Sequence, residues 1–332
     1  MKEYPIYTAV AVAADGTKYY LDNAVLDLTI DEAKNELADK VSLSLRNAKT
    51  ETGKYLSGCL DLDTVLFVKA NDGKKTEEVF RGPFWDITYQ SKEDKELKVT
   101  AYTNLIYLEK SKDCLYFSAG KYTDVIVRSI CKKWNIALNY VYDKIKHPKL
   151  PFNNKTIADI IIELLDEVKK KKGTKYVIRG VKDSIQIRKV ATNTDVYHFQ
   201  KQKSALSTKS NITKDGLITK VVIYGKEDDN ERRAVQATVN GSYLKKYGTL
   251  QDVVTMSSNT TLAEAKKEAN EILKENGTPK KTYDIETLDV PWVHKGDLIR
   301  ITAGDMSGKF IVLSVSHDAL KKTMSMEVEK YG

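Results

Sequence analysis

Two of the four histidines lie in one stretch, VPWVHKGDLIRITAGDMSGKFIVLSVSHDALKKTMSMEVE, where His294 and His317 have Asp297, Asp305 and Asp318 as neighbours. Imidazole beside carboxylate is the material of a metal site or of a general acid–base pair. The other candidates are sparser. A cysteine nucleophile needs a base, and His147 is the first histidine after Cys131, but that spacing fits no nucleophile motif and Cys131 falls on the apolar side of a helix, the place of a core thiol. The pairs Asp61/Asp63 and Asp228/Asp229 have the residue type a glycosidase uses; both stand in turn or strand-edge settings and read as solvated. The acidic run KEDDNE lacks the alternating ligands and sharp-turn glycine of a calcium loop. No phosphate-binding glycine loop, dinucleotide turn, nucleophile elbow or zinc-protease helix occurs. No catalytic residue, cofactor site or metal ligand is assigned, and the chain reads as a non-enzyme.

The remaining chemistry is charge. The chain carries +8 at pH 7, which raises an anionic partner such as nucleic acid. Only eight of the 54 basic residues are Arg, and Arg is the residue that forks onto phosphate and stacks on bases. The densest run, Lys169–Lys172, falls at the end of a helix, where it complements the negative end of the dipole. The 19 tyrosines are dispersed through strand-like segments and suit half-buried sheets and interfaces. Cys59, Cys114 and Cys131 fit neither a disulfide framework nor a metal clip, so reduced thiols in a cytoplasmically made protein are expected. The first residues show no signal peptide, and no apolar run is long enough to insert in a membrane.

Elements must position these residues, and 332 residues are too many for one ordinary core. YTAVAVAADGTKYYL is a hairpin pattern, and DKVSLSLRN alternates Val41, Leu43 and Leu45 as a half-buried strand does. About three more strands follow, with turns at Asp72-Gly73 and around Glu93-Asp94. The middle changes period. Ile126, Ile130 and Trp134 make a helical stripe, and a second helix runs from a capping-box-like Thr156/Asp159 to Gly173. The segment KYVIRGVKDSIQIRKV then forms a hairpin. The last third returns to strands around one helix, capped at Thr260 or Thr261 and closed by Gly277. The expected class is mainly β with α+β character. Residues 1–105 form a β domain, 106–195 an α/β section, and 196–332 a second β domain with a helix inserted at about 260–277.

The two β ends echo each other. Asp63, TVLFVKA, RGPFWDITYQ, a charged turn and ELKVTAY match Asp297, LIRITA, SGKFIVLSVS, a second charged turn and TMSMEVE. Gly82 and Phe84 fall on Gly308 and Phe310; His317 falls on Ser91 and His294 on Leu60. The first copy therefore holds nothing that binds metal at those positions. Asp297 then reads as opening a strand, and His317 with Asp318 as beginning the turn between the last two strands.

The order of segments resembles the baseplate hub proteins of contractile phage tails and tail-like bacteriocins, of the XkdQ/YqbQ type found in Gram-positive prophages. The segments that carry the resemblance are FRGPFWDITYQSKEDKELKVTAYTNLIYLEKS, TIADIIIELLDEVKKKKGTKYVIRGVKDSIQIRKV, GLITKVVIYGK and the C-terminal stretch quoted above. No fused lysozyme, peptidase or spike module accompanies them. The resemblance implies two tail-tube-like β-barrel or sandwich domains flanking the α/β section. It also implies a homotrimer whose pseudo-sixfold ring joins the tail tube protein to a central spike protein within the virion or bacteriocin baseplate. Further implied partners are other baseplate proteins, the tape-measure protein in the pore and, in a phage, DNA as transient cargo. Two other functions remain open on the residues themselves: a cell-wall hydrolase using His294 and His317, and a basic nucleic-acid-binding protein.

Overall fold

The computed structural model describes residues 4–89, 96–201, 203–227, 232–256 and 260–331. The elements in chain order are β1 (Ile6–Val12), β2 (Lys18–Tyr20), β3 (Val25–Glu32), β4 (Lys40–Arg46), β5 (Val65–Asn71), β6 (Thr76–Tyr89) and β7 (Glu96–Tyr102). Then come α1 (Ile106–Lys110), β8 (Lys112–Phe117), α2 (Thr123–Lys133), β9 (Ala137–Val141), β10 (Leu150–Thr156), α3 (Ile157–Lys172), β11 (Tyr176–Val181) and β12 (Ser184–Lys189). The chain continues through β13 (His198–Gln200), β14 (Ala205–Thr213), β15 (Lys220–Glu227), β16 (Arg233–Asn240), α4 (Leu244–Tyr247), β17 (Gln251–Thr255) and α5 (Leu262–Asn276). It closes with β18 (Lys280–Leu288), β19 (Leu298–Ala303), β20 (Met306–Asp318) and β21 (Thr323–Lys330). The fold is mainly β with few helices, as the alternation of the strands predicts.

Contact density divides the chain into two compact units, residues 1–209 with 284–332, and residues 210–283. These boundaries fall inside the last of the three sections drawn from sequence. The helix placed within that section, α5, lies on a three-stranded sheet of its own unit, in the order β16-β15-β17. There Val221, Ile223 and Val254 bury against Ala265 and Ala269. Thr261 and Glu264 cap α5 reciprocally, which resolves the choice between Thr260 and Thr261.

The larger unit is one long sheet, antiparallel except where β13 joins β19, with an α/β layer. Its strands run β21-β20-β3-β4-β7-β6-β5-β1-β2, with β19 on β20 and β13 on β19. Leu28, Val41, Leu43, Leu45, Leu66, Val68, Phe84 and Val99 all enter one core together with Ala9 and Ala11 of β1, so the sheet curls over its own inner face. A second core gathers Ile126, Ile130, Cys131, Ile157, Ile161, Leu165, Ile185 and Ile187 between α2, α3 and the β11-β12-β9 sheet. Thr156 caps α3, accepting the Asp159 amide at 3.1 Å, and Lys169–Lys172 fill the last turn before Gly173. Burial pushes the Cys131 thiol up to about 11.

The two β meanders share one build. In each, a long middle strand pairs through its first half with the strand before it and through its second half with the strand after it. Gly82 of β6 lies opposite Leu66, and Gly308 of β20 opposite Ile301. Each middle strand then bulges against its third strand, between Phe84 and Asp86 in one copy and between Val312 and Ser314 in the other. A bulge adds one residue to one side of a ladder and strengthens the local twist. Ser91 and the turn at Glu93-Asp94 lie outside the described residues, as do Asp228, Asp229 and most of the KEDDNE run.

Candidate functional site

Between β18 and β19 the chain runs through DVPWVHKGD, residues 289–297. Proline and glycine forbid a ladder here, so the segment crosses the sheet as a loop, and its side chains find partners far away in sequence. Asp289 takes the Tyr7 hydroxyl at 2.5 Å on one oxygen and His317 Nδ1 at 2.6 Å on the other. The other nitrogen of His317, Nε2, faces the Val293 carbonyl at 3.1 Å. Both ring nitrogens therefore have acceptors, the geometry of an imidazolium donating twice. Burial pulls the His317 value down, but the hydrogen bond and charge of Asp289 outweigh it and hold it raised. Tyr7, buried beside the same carboxylate, is pushed well up.

Trp292 donates its indole N–H to Asp72 at 2.8 Å, and Lys75 lies over its ring at 4.1 Å. The Lys75 and Lys74 amides, with the Trp292 indole, hold Asp72 down to about 2. Deeper in, His294 Nδ1 meets Glu32 Oε1 at 2.5 Å while the Lys295 amide donates to Glu32 Oε2 at 3.0 Å. Burial and the Arg179 guanidinium push His294 below its ordinary value in spite of Glu32. An Nδ1–H in this position donates to the Glu32 carboxylate. Burial raises Glu32, but His294, Arg179 (Nε at 3.9 Å) and Lys295 outweigh it and hold the carboxyl well below its usual range. Lys295 Nζ reaches Asp39 at 3.1 Å and the Glu36 carbonyl at 2.9 Å. Burial still pushes Asp39 up to about 6 against the pull of Lys295. Asp297 closes the loop by accepting Arg188 at 2.5 Å and the His294 amide at 3.0 Å.

The structure therefore corrects the turn reading of this stretch. His317 is the penultimate residue of β20, opposite Met324 and Ile30, and buried. Asp297 precedes β19 and is buried on Arg188. Only Asp305 and Asp318 do turn work: Asp305 is exposed between β19 and β20, and Asp318 accepts the Leu320 and Lys321 amides. His294 and His317 face different carboxylates, and among the described residues no three His, Cys, Asp or Glu converge as metal ligands. Glu32, Asp39, Asp289, Lys295, Asp297 and His317 are all buried, and the carboxylates each have a cationic or donor partner. Such a set fastens β1, β3, β12 and β20 to one loop and presents no open face to a reactant. Leu60, which the overlay sets against His294, is an apolar core residue.

A second polar cluster carries no signal in local spacing. His147 joins Thr123 Oγ1 at 2.8 Å to Glu167 Oε2 at 2.9 Å, engaged there rather than with Cys131. Hydroxyl, imidazole and carboxylate in line is the order that activates a nucleophile. Thr123 is wholly buried and also accepts the Ile145 amide at 3.2 Å, so the chain of bonds ties the start of α2 to the segment between β9 and β10. Asp61 and Asp63 stand exposed in the turn before β5.

Comparison with known proteins extends over this whole architecture. The chain is 24% identical over 273 residues to the phage-like element PBSX protein XkdQ of Bacillus subtilis (strain 168), covering 81% of this chain and 77% of that protein. Its fold matches that of a tail protein from Neisseria meningitidis MC58 with a TM-score of 0.72, at 11% identity and covering 98% and 97% of the two chains. A 43 kDa tail protein of prophage MuSo2 from Shewanella oneidensis gives 0.68, at 11% identity over 97% and 98%. The family described as YQBQ-like matches residues 27–329, and the chain belongs to that family.

Proposed function

We propose that the protein is a structural hub of a phage-tail or tail-like baseplate and acts by assembly rather than catalysis. Three copies form a ring in which each chain contributes two meander-bearing β regions, giving pseudo-sixfold symmetry toward a tail tube and threefold symmetry toward a central spike. Tape-measure protein, and DNA in a phage, pass through the middle. The observation that carries this reading is the pair of meanders with the same bulged middle strand, placed along one continuous sheet. The names of its relatives, a PBSX phage-like protein and tail proteins, support it. Light scattering on the purified chain, alone and mixed with the tube and spike proteins made from neighbouring genes, tests it. A mass of three chains that shifts upward with either partner is expected. A monomer at all concentrations that never joins tube or spike would sink the reading.

A further inference from the structure

Residues 112–123 and 145–156 form one antiparallel ribbon, made of β8 against β10 and continued by the Gly120, Lys121 and Thr123 backbone bonds to residues 145–147. Its outer face carries Tyr116, 59% exposed, and Tyr122, 41% exposed. Large apolar rings this open normally mark a contact surface when several stand together. Pro151 lies directly opposite Tyr116, and Lys146 directly opposite Tyr122, so each pair shares the face. Lys149 stands 5.8 Å from the Tyr116 ring, and Lys144 and Lys146 stand 5.5 Å from the Tyr122 ring.

The charge on this face is unbalanced. Asp124 is engaged by Lys144 and Asp113 by Lys133. On this face Lys146 and Lys149 have no carboxylate within ion-pair distance among the described residues, and both are exposed, whereas Lys121, opposite the buried His147, turns to the other side over the Phe117 ring. The face is also rigid: beneath it, buried Thr123 and His147 are joined to half-buried Glu167 in the chain of hydrogen bonds described above. A rigid surface with two aromatic anchors and uncompensated ammoniums loses little entropy on binding. It favours a partner of opposite charge whose side chains can meet point charges one by one. Lys supplies point charges, whereas the planar fork suited to phosphate belongs to Arg.

We propose that this Tyr–Lys face docks an acidic segment of another baseplate protein, with carboxylates on Lys146 and Lys149 and apolar groups against Tyr116, Tyr122 and Pro151. The identity of the partner as a baseplate protein rests on the hub reading; the acidic chemistry of the segment does not. The test has two arms. In tail particles, a photo-crosslinking p-benzoylphenylalanine in place of Tyr122 should capture an Asp- and Glu-rich peptide of a different protein. The combined Lys146→Glu and Lys149→Glu variant should enter particles about tenfold less than the wild type, while melting normally by circular dichroism. In solution, the wild-type chain should bind polyglutamate in a salt-sensitive manner that the double variant loses. Equal entry of wild type and variant into particles overturns the proposal, as does a crosslink to a basic or uncharged peptide. Oligothymidylate binding tighter than polyglutamate and lost on Tyr116→Ala plus Tyr122→Ala would assign the face to nucleic acid instead. A wild-type chain absent from particles defeats the hub reading alone, because the polyglutamate comparison still decides the chemistry of the face.

Discussion

His317 shows how one buried residue sets a pH dependence. Its folded value lies above the ordinary 6.5, so the bond to Asp289 contributes stability that is fully present below about 6.5 and is lost as pH rises through the folded value. His294 has the opposite sign: its folded value lies below the ordinary one, so its contribution is present above the ordinary value and lost as pH falls. We expect His317→Gln to lower the melting temperature most near pH ~6 and least near pH ~9. Thermal melts at the two pH values check this, and an equal loss at both would contradict a charged His317. Lys295 and Asp39 test the same loop by coupling. Lys295→Met alone leaves Asp39 buried without its cation and should cost about 3–5 kcal/mol in urea denaturation. Lys295→Met with Asp39→Leu should recover much of that loss, and strict additivity would show that the pair is not coupled. None of these partners was legible in the sequence. Glu32 and His294 are separated by 262 residues, and His317 meets Asp289 across a strand and a loop. Spacing rules see only neighbours, so the histidines read as turn residues.

At the scale of elements, local rules worked where local physics decides. Alternation placed β4 with Val41, Leu43 and Leu45 buried, and side-chain caps marked the starts of α3 and α5. Strands β8, β9 and β10 were not anticipated, because each is short and β9 is defined by a parallel pairing with β12 rather than by its own pattern. The matched glycines of the two meanders turn out to be required for different reasons. A Cβ on Gly82 would lie 1.8 Å from the Tyr102 carbonyl oxygen, whereas Gly308 has open space around it and a φ of +125°. Gly82→Ala must push β6 away from the backbone at the end of β7, and Gly308→Ala must only strain its own backbone. Gly82→Ala should therefore be the more damaging, leaving little folded protein at 37 °C in a soluble-expression and circular-dichroism comparison. Similar losses for the two substitutions would mean that the carbonyl of Tyr102 can yield.

For the whole molecule, fold class and segment order could be read from sequence because hydrophobic period switches from two to 3.6 and back along the chain. The compact units could not, since β14 and β18 run continuously across their boundaries without a proline- or glycine-rich break. Lys-rich charge gave no guide to surfaces either. The ribbon of Tyr116 and Tyr122 joins two separate stretches of sequence, 112–123 and 145–156, and only the structure brings them together and shows which lysines lack a carboxylate.

Strand β20 has a consequence for the life of the chain before it is finished. It pairs with β3, and Ser316 bonds Asp31 across 285 residues, so the outer edge of β3 stays open while almost the whole protein is being made. An uncovered edge of this length is a template for the wrong neighbour, including the same strand on another nascent chain. Ribosome-stalled chains released before β20 emerges should be cleaved rapidly around β3 in brief proteolysis, and chains stalled after β21 should resist. The last strands to be synthesised are thus the ones that make the first strands safe.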